Sequence, residues 1–380
     1  MQIFQEIEKL YPKYLDFLED ICNIESPTSL KEGVDKVCEY CIAFAKEKGF
    51  KAEVFLQDIS GNAALITMNE KAEGQPIVLS AHMDTVHPVG SFGYPAVRRD
   101  EEFMYGPGVM DCKGGIAAAF LAMEALSVSG FDKRPIKLFL QSDEENSSKT
   151  SKKETIRTMC ESSKGALCFL NLEGHVKGTA VLTRKGIIRY KFIIRGKAIH
   201  SARCAYGANA IAEAAHKIIE LEKMKDVEGI TCNCGVINGG TAANTVAEHC
   251  EFFADIRFST PEQLSNAKET VKRLAEKSFV EGCVTEIEEV SYRPAMPESE
   301  ENTELLKKMN EIYEKCGLPT LDARFCVSGS DAAYITECKI PCVDSLGTEG
   351  GNIHSTREYA RMLSLCESAK RVASVIFLMH

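Results

Sequence analysis

The chain has 380 residues, of which 44% are hydrophobic, and a formal net charge of -10. That length exceeds one ordinary core and predicts about two domains. The acidic balance, without a basic stripe to neutralise phosphates, argues against nucleic-acid binding and leaves a small substrate as the expected partner.

Met1-Gln2-Ile3-Phe4-Gln5-Glu6-Ile7-Glu8-Lys9-Leu10 mixes acids with apolar residues and lacks the basic start and apolar run of a signal peptide. No stretch approaches the ~18–20 apolar residues of a membrane span, so a cytoplasmic protein without a membrane partner is expected. The 16 cysteines are scattered, which suits small core residues in a reducing compartment rather than a disulfide framework. Cys38-Glu39-Tyr40-Cys41 has the spacing of half a zinc site, but it lies in an amphipathic helical pattern with no second pair nearby.

In chain order, residues 31–49 and 113–129 read as helices, and 77–83, 136–142 and 166–172 as short apolar strands of the kind buried on both faces. Strands alternating with helices predict an α/β fold with a doubly wound, mostly parallel sheet. From about residue 183 the pattern changes to longer alternating strands, at 187–194 and 250–258, with helical stretches at 207–223 and 261–279. That is the signature of a smaller α+β domain with one exposed sheet face. Beyond Pro294 the earlier alternation returns, at 301–316, 331–337, 341–346 and 357–378. The expected organisation is a discontinuous first domain, 1–182 and 292–380, with 183–291 inserted into it.

Ligands of parallel sheets bind beyond the carboxyl ends of the strands. His82, Glu144-Glu145 and Glu173 each follow an apolar strand run, so they are expected along one edge. Asp111, in Gly106-Pro107-Gly108-Val109-Met110-Asp111, and His354, in Gly351-Asn352-Ile353-His354-Ser355, complete a set of two histidines and three carboxylates. Such a set suits two zinc ions sharing one carboxylate, a pair that activates water and polarises a carbonyl. Proton transfer then needs a nearby base, for which Glu144 is free if Glu145 turns to metal. Asp84, two residues after His82, is placed to orient its imidazole. Singly, each has a plainer account: a hydrogen-bonded histidine after a strand, a solvated acidic loop, or an aspartate in a turn or helix cap. Their recurrence at successive strand ends weighs against that account.

His82-Met83-Asp84-Thr85-Val86, Gly106-Pro107-Gly108-Val109-Met110-Asp111-Cys112-Lys113-Gly114-Gly115, Asp143-Glu144-Glu145 and Gly351-Asn352-Ile353-His354-Ser355 resemble, in order over nearly the whole chain, a di-zinc metallopeptidase family. That family contains glutamate carboxypeptidase, aminoacylase, acetylornithine deacetylase and succinyl-diaminopimelate desuccinylase. The resemblance implies that His82 and Glu173 complete one metal site and Glu145 and His354 the other, with Asp111 bridging. It further implies that Glu144 is the general base, that Asp84 orients His82, and that the Asp111-Cys112 peptide is cis. The inserted domain looks like the family's dimerisation lid, which implies a homodimer.

Within that lid, Gly196-Lys197-Ala198-Ile199-His200-Ser201 resembles the segment whose histidine reaches into the partner subunit's active site to stabilise an oxyanion. Gly239-Gly240-Thr241-Ala242-Ala243-Asn244-Thr245-Val246 resembles the segment that supplies an asparagine, here Asn244. Asp255-Ile256-Arg257-Phe258 resembles the one whose arginine forks onto a substrate carboxylate. Gly329 and Ser330 fall where a glycine-rich segment helps hold substrate. The sequence departs from the family there, at Ser328-Gly329-Ser330-Asp331-Ala332, and at Ala202-Arg203-Cys204-Ala205, where a proline is usual.

His82 through Gly90, Lys185-Gly186 and Asp344-Ser345-Leu346-Gly347 look most like the glutamate carboxypeptidase branch. The expected activity is release of a C-terminal amino acid from a peptide or N-acyl amino acid, with two zinc ions, or Co2+ or Mn2+ in their place. N-acyl-amino-acid deacylase and aminotripeptidase-like action are the alternatives within the family. A non-enzymatic, metal-holding binding protein is the alternative outside it.

Overall fold

The apolar runs at 77–83, 136–142 and 166–172 form strands because each is short, rich in branched and aromatic residues, and covered on both faces. In the computed structural model, which describes residues 1–226 and 229–379, they are Ile77–His82, Ile136–Gln141 and Cys168–Asn171. The chain divides into two units: Met1–Leu182, Glu298–Phe325 and the stretch from Tyr334 onward form the first, and Thr183–Pro297 with Cys326–Ala333 the second.

The first unit is built on a six-stranded sheet in the order Lys51–Phe55, Ala63–Met68, Ile136–Gln141, Ile77–His82, Cys168–Asn171, Cys342–Val343. The last four run parallel, and Ala63–Met68 is antiparallel to both of its neighbours. The sheet is therefore mostly parallel, as expected, with an antiparallel hairpin at one edge. Helices Gln2–Asn23, Lys31–Glu47, Lys113–Val128 and Met362–Leu378 pack with it in one hydrophobic core. Cys38 and Cys41 belong to that core on helix Lys31–Glu47.

Helix Lys113–Val128 is buried nearly all round, from Lys113 to Leu126, and its alanine-rich sequence permits close packing. Its first turn comes so near the sheet that a Cβ at Gly115 would sit 2.1 Å from the Leu172 carbonyl oxygen, and one at Gly114 would sit 2.2 Å from Thr348 Oγ1. Two glycines there let the helix start directly against the strand end that carries Glu173. A smaller four-stranded sheet joins Gly350–Gly351, Tyr359–Arg361, Phe103–Tyr105 and Arg98–Arg99. It ties the segment around His354 to the one leading into Asp111.

The second unit is a four-stranded antiparallel sheet ordered Thr231–Gly239, His249–Phe258, Gly186–Arg195, Val284–Arg293. Burial alternates along His249–Phe258, because one face packs under helices Ala210–Leu221 and Pro261–Glu276 while the other does not. Asn209 and Thr260 cap those two helices through their side-chain oxygens.

Candidate metal centre

His82 is the last residue of its strand, Glu144-Glu145 open a short turn just past Ile136–Gln141, and Glu173 lies two residues beyond Cys168–Asn171. Because these strands are parallel neighbours, their carboxyl ends bring the three segments to one edge of the first unit. Asp111 arrives immediately before helix Lys113–Val128, after a cis Asp111-Cys112 peptide. His354 and Asn352 adopt left-handed backbone conformations, at φ 59° and 56°. Such conformations cost a non-glycine residue on the order of 1–2 kcal/mol and hold only where the surroundings impose them.

The five candidate ligands converge. One oxygen of Asp111 lies 3.2 Å from His82 Nε2 and the other 3.2 Å from His354 Nε2. Glu173 approaches His82 Nε2 at 3.7 Å, and Glu145 approaches His354 Nε2 at 3.3 Å. Asp111 thus stands between two half-sites, each with a histidine and a glutamate of its own. A tetrahedral zinc with bonds of about 2.0–2.1 Å spaces its donors about 3.3–3.4 Å apart, close to these separations.

Electrostatics favour cations here. Burial pushes Glu145 and Glu173 up to about 8, against the pull of their histidines. Asp111 is also buried, yet hydrogen bonds to His354 and His82 hold its carboxyl well below the usual range. The contacts to Asp111 and Glu145 draw His354 up to about 10. Burial opposes a charge on His82, but its negative neighbours outweigh that and raise it. Without metal, the cluster must borrow protons to balance crowded carboxylates. Divalent ions supply the missing charge, so the residues present fit a two-metal site.

Asp84 is fully buried and organises the neighbouring backbone. Its carboxylate accepts the amide N–H groups of Glu144 (3.1 Å) and Glu145 (3.2 Å), and the hydroxyl of Thr28 at 2.7 Å. His82 Nδ1 is nearer to the Asp84 carbonyl oxygen (2.9 Å) than to its carboxylate (3.4 Å). The imidazole orientation therefore comes mainly from backbone, while the carboxylate sets the turn carrying Glu144 and Glu145. Glu144 itself is 7% exposed at the head of that turn.

One residue outside the candidates read from the sequence also matters. Glu358, 1% exposed, accepts the amide N–H groups of Met110 (3.0 Å) and Asp111 (3.1 Å), and its other oxygen meets His87 Nε2 at 2.8 Å. It clamps the backbone that presents Asp111. No sequence signal marks it, because Glu358 stands in a polar run and reaches Asp111 only once Tyr359–Arg361 pairs with Phe103–Tyr105.

The remaining candidates lie in the second unit. His200 and Asn244 are exposed on two hydrogen-bonded segments: the Ser201 amide donates to the Asn244 carbonyl at 2.8 Å, and that of Val246 to Ile199 at 2.8 Å. His200 Nδ1 accepts the Ala202 amide N–H at 3.2 Å. A neutral imidazole so held carries its proton on Nε2 and presents a donor. Arg257 bonds Asp255 at 3.1 Å and the Val327 carbonyl at 3.1 Å. Gly329 is pressed against Arg293, whose Cδ would lie 2.7 Å from an added Cβ, and Ser330 is fully buried.

Among the described residues no helix is long and apolar enough to cross a membrane. Curated relatives include carboxypeptidase G2 of Pseudomonas sp., 26% identical over 366 residues that cover 93% of this chain and 86% of that protein. An acetylornithine deacetylase of Myxococcus xanthus is 29% identical over 268 residues, 65% of this chain and 68% of that one. Among solved structures, the aminopeptidase PepT of Bacillus cereus shares the fold with a TM-score of 0.78 at 22% identity, covering 96% of this chain and 98% of that chain. A dinuclear metal-binding peptidase of Bacillus subtilis does so with a TM-score of 0.71 at 16% identity, covering 98% and 99%. Residues 78–377 match the model of peptidase family M20/M25/M40. With that match over most of its length, and with both histidines and all three carboxylates gathered at one strand edge, the chain belongs to peptidase family M20/M25/M40 and is a metallohydrolase.

Proposed function

We propose that this protein is a two-zinc hydrolase that cleaves an amide bond next to a free carboxylate and releases a C-terminal amino acid. The observation that carries the two-metal part is Asp111, whose two oxygens each lie 3.2 Å from a different histidine. His82 and Glu173 would hold one ion and His354 and Glu145 the other, with Asp111 shared between them; Co2+ or Mn2+ are the alternative ions. When bound, the pair supplies Lewis acidity, polarising the scissile carbonyl and acidifying water.

The side chains of this chain do the rest. Glu144 takes a proton from the attacking water and returns it to the leaving nitrogen. The Asp84 carboxylate serves that step by holding the Glu144 and Glu145 amides. His200 donates to the oxyanion from a partner subunit, Asn244 assists, and Arg257 takes the substrate carboxylate, with Gly329 and Ser330 beside the substrate. The second unit, built around residues 183–291, acts as a lid and homodimer interface, and the first unit as the catalytic domain, in a cytoplasmic enzyme.

The C-terminal preference is supported by the similarity to carboxypeptidase G2 along 93% of the chain. The deacetylase relatives support N-acyl-amino-acid deacylation as the second reading. Both are tested by one panel of N-acyl amino acids and of dipeptides with varied C-terminal residues, assayed for amino acid release before and after chelation and zinc return. Zinc-restored release confined to one C-terminal residue class supports the first reading. Release governed by the acyl group supports deacylation, and no release with two metals bound rejects both.

A further inference from the structure

The residue after Asp111 is a cysteine, and amide hydrolysis requires no thiol there. Cys112 is fully buried, its Sγ accepting the His82 amide N–H at 3.0 Å and lying 3.9 Å from the His82 carbonyl. A His82 ring nitrogen, Cys112 Sγ and a Glu173 oxygen all lie within 4.8 Å of one another. Buried cysteines are common, and most of the 16 here fill the core as small apolar residues. Cys112 differs: among the described residues no other cysteine joins a histidine and a carboxylate in such a group.

We propose that Cys112 Sγ is a further protein ligand, beside His82, Glu173 and the shared Asp111, of the metal at that position, making it a mixed nitrogen, oxygen and sulfur site. The inference rests on the two-metal reading above. A tetrahedral zinc with bonds of about 2.0–2.3 Å spaces its donors about 3.3–3.8 Å apart, so the three donors need to draw in by about 1.5 Å at most. As the ion binds, the S–H bond is exchanged for a sulfur–metal bond and the proton leaves to solvent. Burial raises the Cys112 thiol well above its ordinary range, so it is the metal that has to displace the proton.

The two metal positions then differ in kind. The His354–Glu145 position has nitrogen and oxygen donors, which suit zinc, cobalt or manganese alike. The His82–Glu173 position gains a soft donor, which selects zinc or cadmium over manganese. Specificity for the ion thereby resides in one residue of the Asp111-Cys112-Lys113 segment.

Zinc X-ray absorption of the fully loaded wild-type protein tests this without reference to activity. A sulfur shell at about 2.3 Å beside the nitrogen and oxygen shell at about 2.0–2.1 Å is expected, and it should vanish in Cys112→Ser. Cobalt-loaded wild type should show a thiolate-to-cobalt charge-transfer band that Cys112→Ser lacks, with Cys112→Ala as a second variant should the serine protein fail to fold. A sulfur shell that survives the substitution belongs to another cysteine and overturns the proposal. Two bound zincs with no sulfur shell in the wild type overturn it while leaving the two-metal reading standing. A protein that binds no zinc overturns both.

Discussion

The strand-end cluster of the first unit and the His200–Asn244 segments of the second are held in opposite ways. Around Asp111 the ligands other than His354 are buried or half-buried, and the backbone is gripped from several sides: Glu358 holds two amides, Asp84 holds two more, and the Gly114-Gly115 turn seats the helix against the strand that leads to Glu173. His200 and Asn244 are exposed, and the bonds there run mainly between backbone groups. A metal site must hold several like charges at short range, so its scaffold has to be over-determined. A group that meets substrate must stay accessible, and its precision has to come from what closes over it.

Removing the centre of the first region should have the largest effect. Asp111→Ala should lose both metals and all turnover, read by metal analysis after dialysis; two retained metals would end the bridging role. Glu144→Ala should keep both metals yet lose activity by a factor of at least about 10²–10⁴, the scale of a lost general base. Loss of metal in that variant would make Glu144 a ligand instead. For the second region, His200→Ala should cut kcat by roughly 10²–10³ with metals intact, the scale of one missing oxyanion donor. If His200 serves a partner subunit, mixing that variant with Glu144→Ala protein should restore part of the activity, and full activity in the His200→Ala homodimer would remove His200 from the mechanism.

Smaller effects sharpen the contrast. Glu358→Gln keeps size but weakens the clamp on Asp111, and metal affinity should fall by about 10–100-fold, as for other supporting groups around metals. An unchanged affinity would show that the Met110 and Asp111 amides need no anion. The smallest effect concerns protons. Glu145 and Glu173 hold theirs up to about 8, against 4.5 when unburied, so metal binding near neutral pH should expel protons. Calorimetry in buffers of different ionisation enthalpy reads this directly. The sign for stability follows: between 4.5 and about 8 the folded, metal-free protein binds protons that the unfolded chain has released, so its stability falls as pH rises through that window. His354, raised from 6.5 to about 10, pushes the same way above 6.5. Thermal melts of the chelated protein at both ends of the window check it, and metal return should flatten the slope.

Much of this was legible from residue order. Short apolar runs ending in His82, Glu144-Glu145 and Glu173 announce parallel strands with ligands at their carboxyl ends, since side chains just past a parallel strand have nowhere to point but that edge. The change at residue 183 to longer alternating strands likewise announces a sheet with one open face. The edge hairpin Lys51–Phe55 and Ala63–Met68 and the strand Val284–Arg293 escaped that reading. Lys51–Phe55 and Val284–Arg293 are edge strands, half-exposed and rich in charge, so they lack the apolar run that marks a central strand.

What residue order determined, then, is the chemistry available at each strand end, because ligand type and strand polarity are both local properties. What only the tertiary structure decided is which groups hold those ligands. Glu358 reaches Asp111 across 247 residues, Thr28 reaches Asp84 across 56, and Cys112 turns its sulfur toward His82 across 30. Such partners are chosen by packing and hydrogen-bond geometry between distant segments, and no spacing along the chain encodes them.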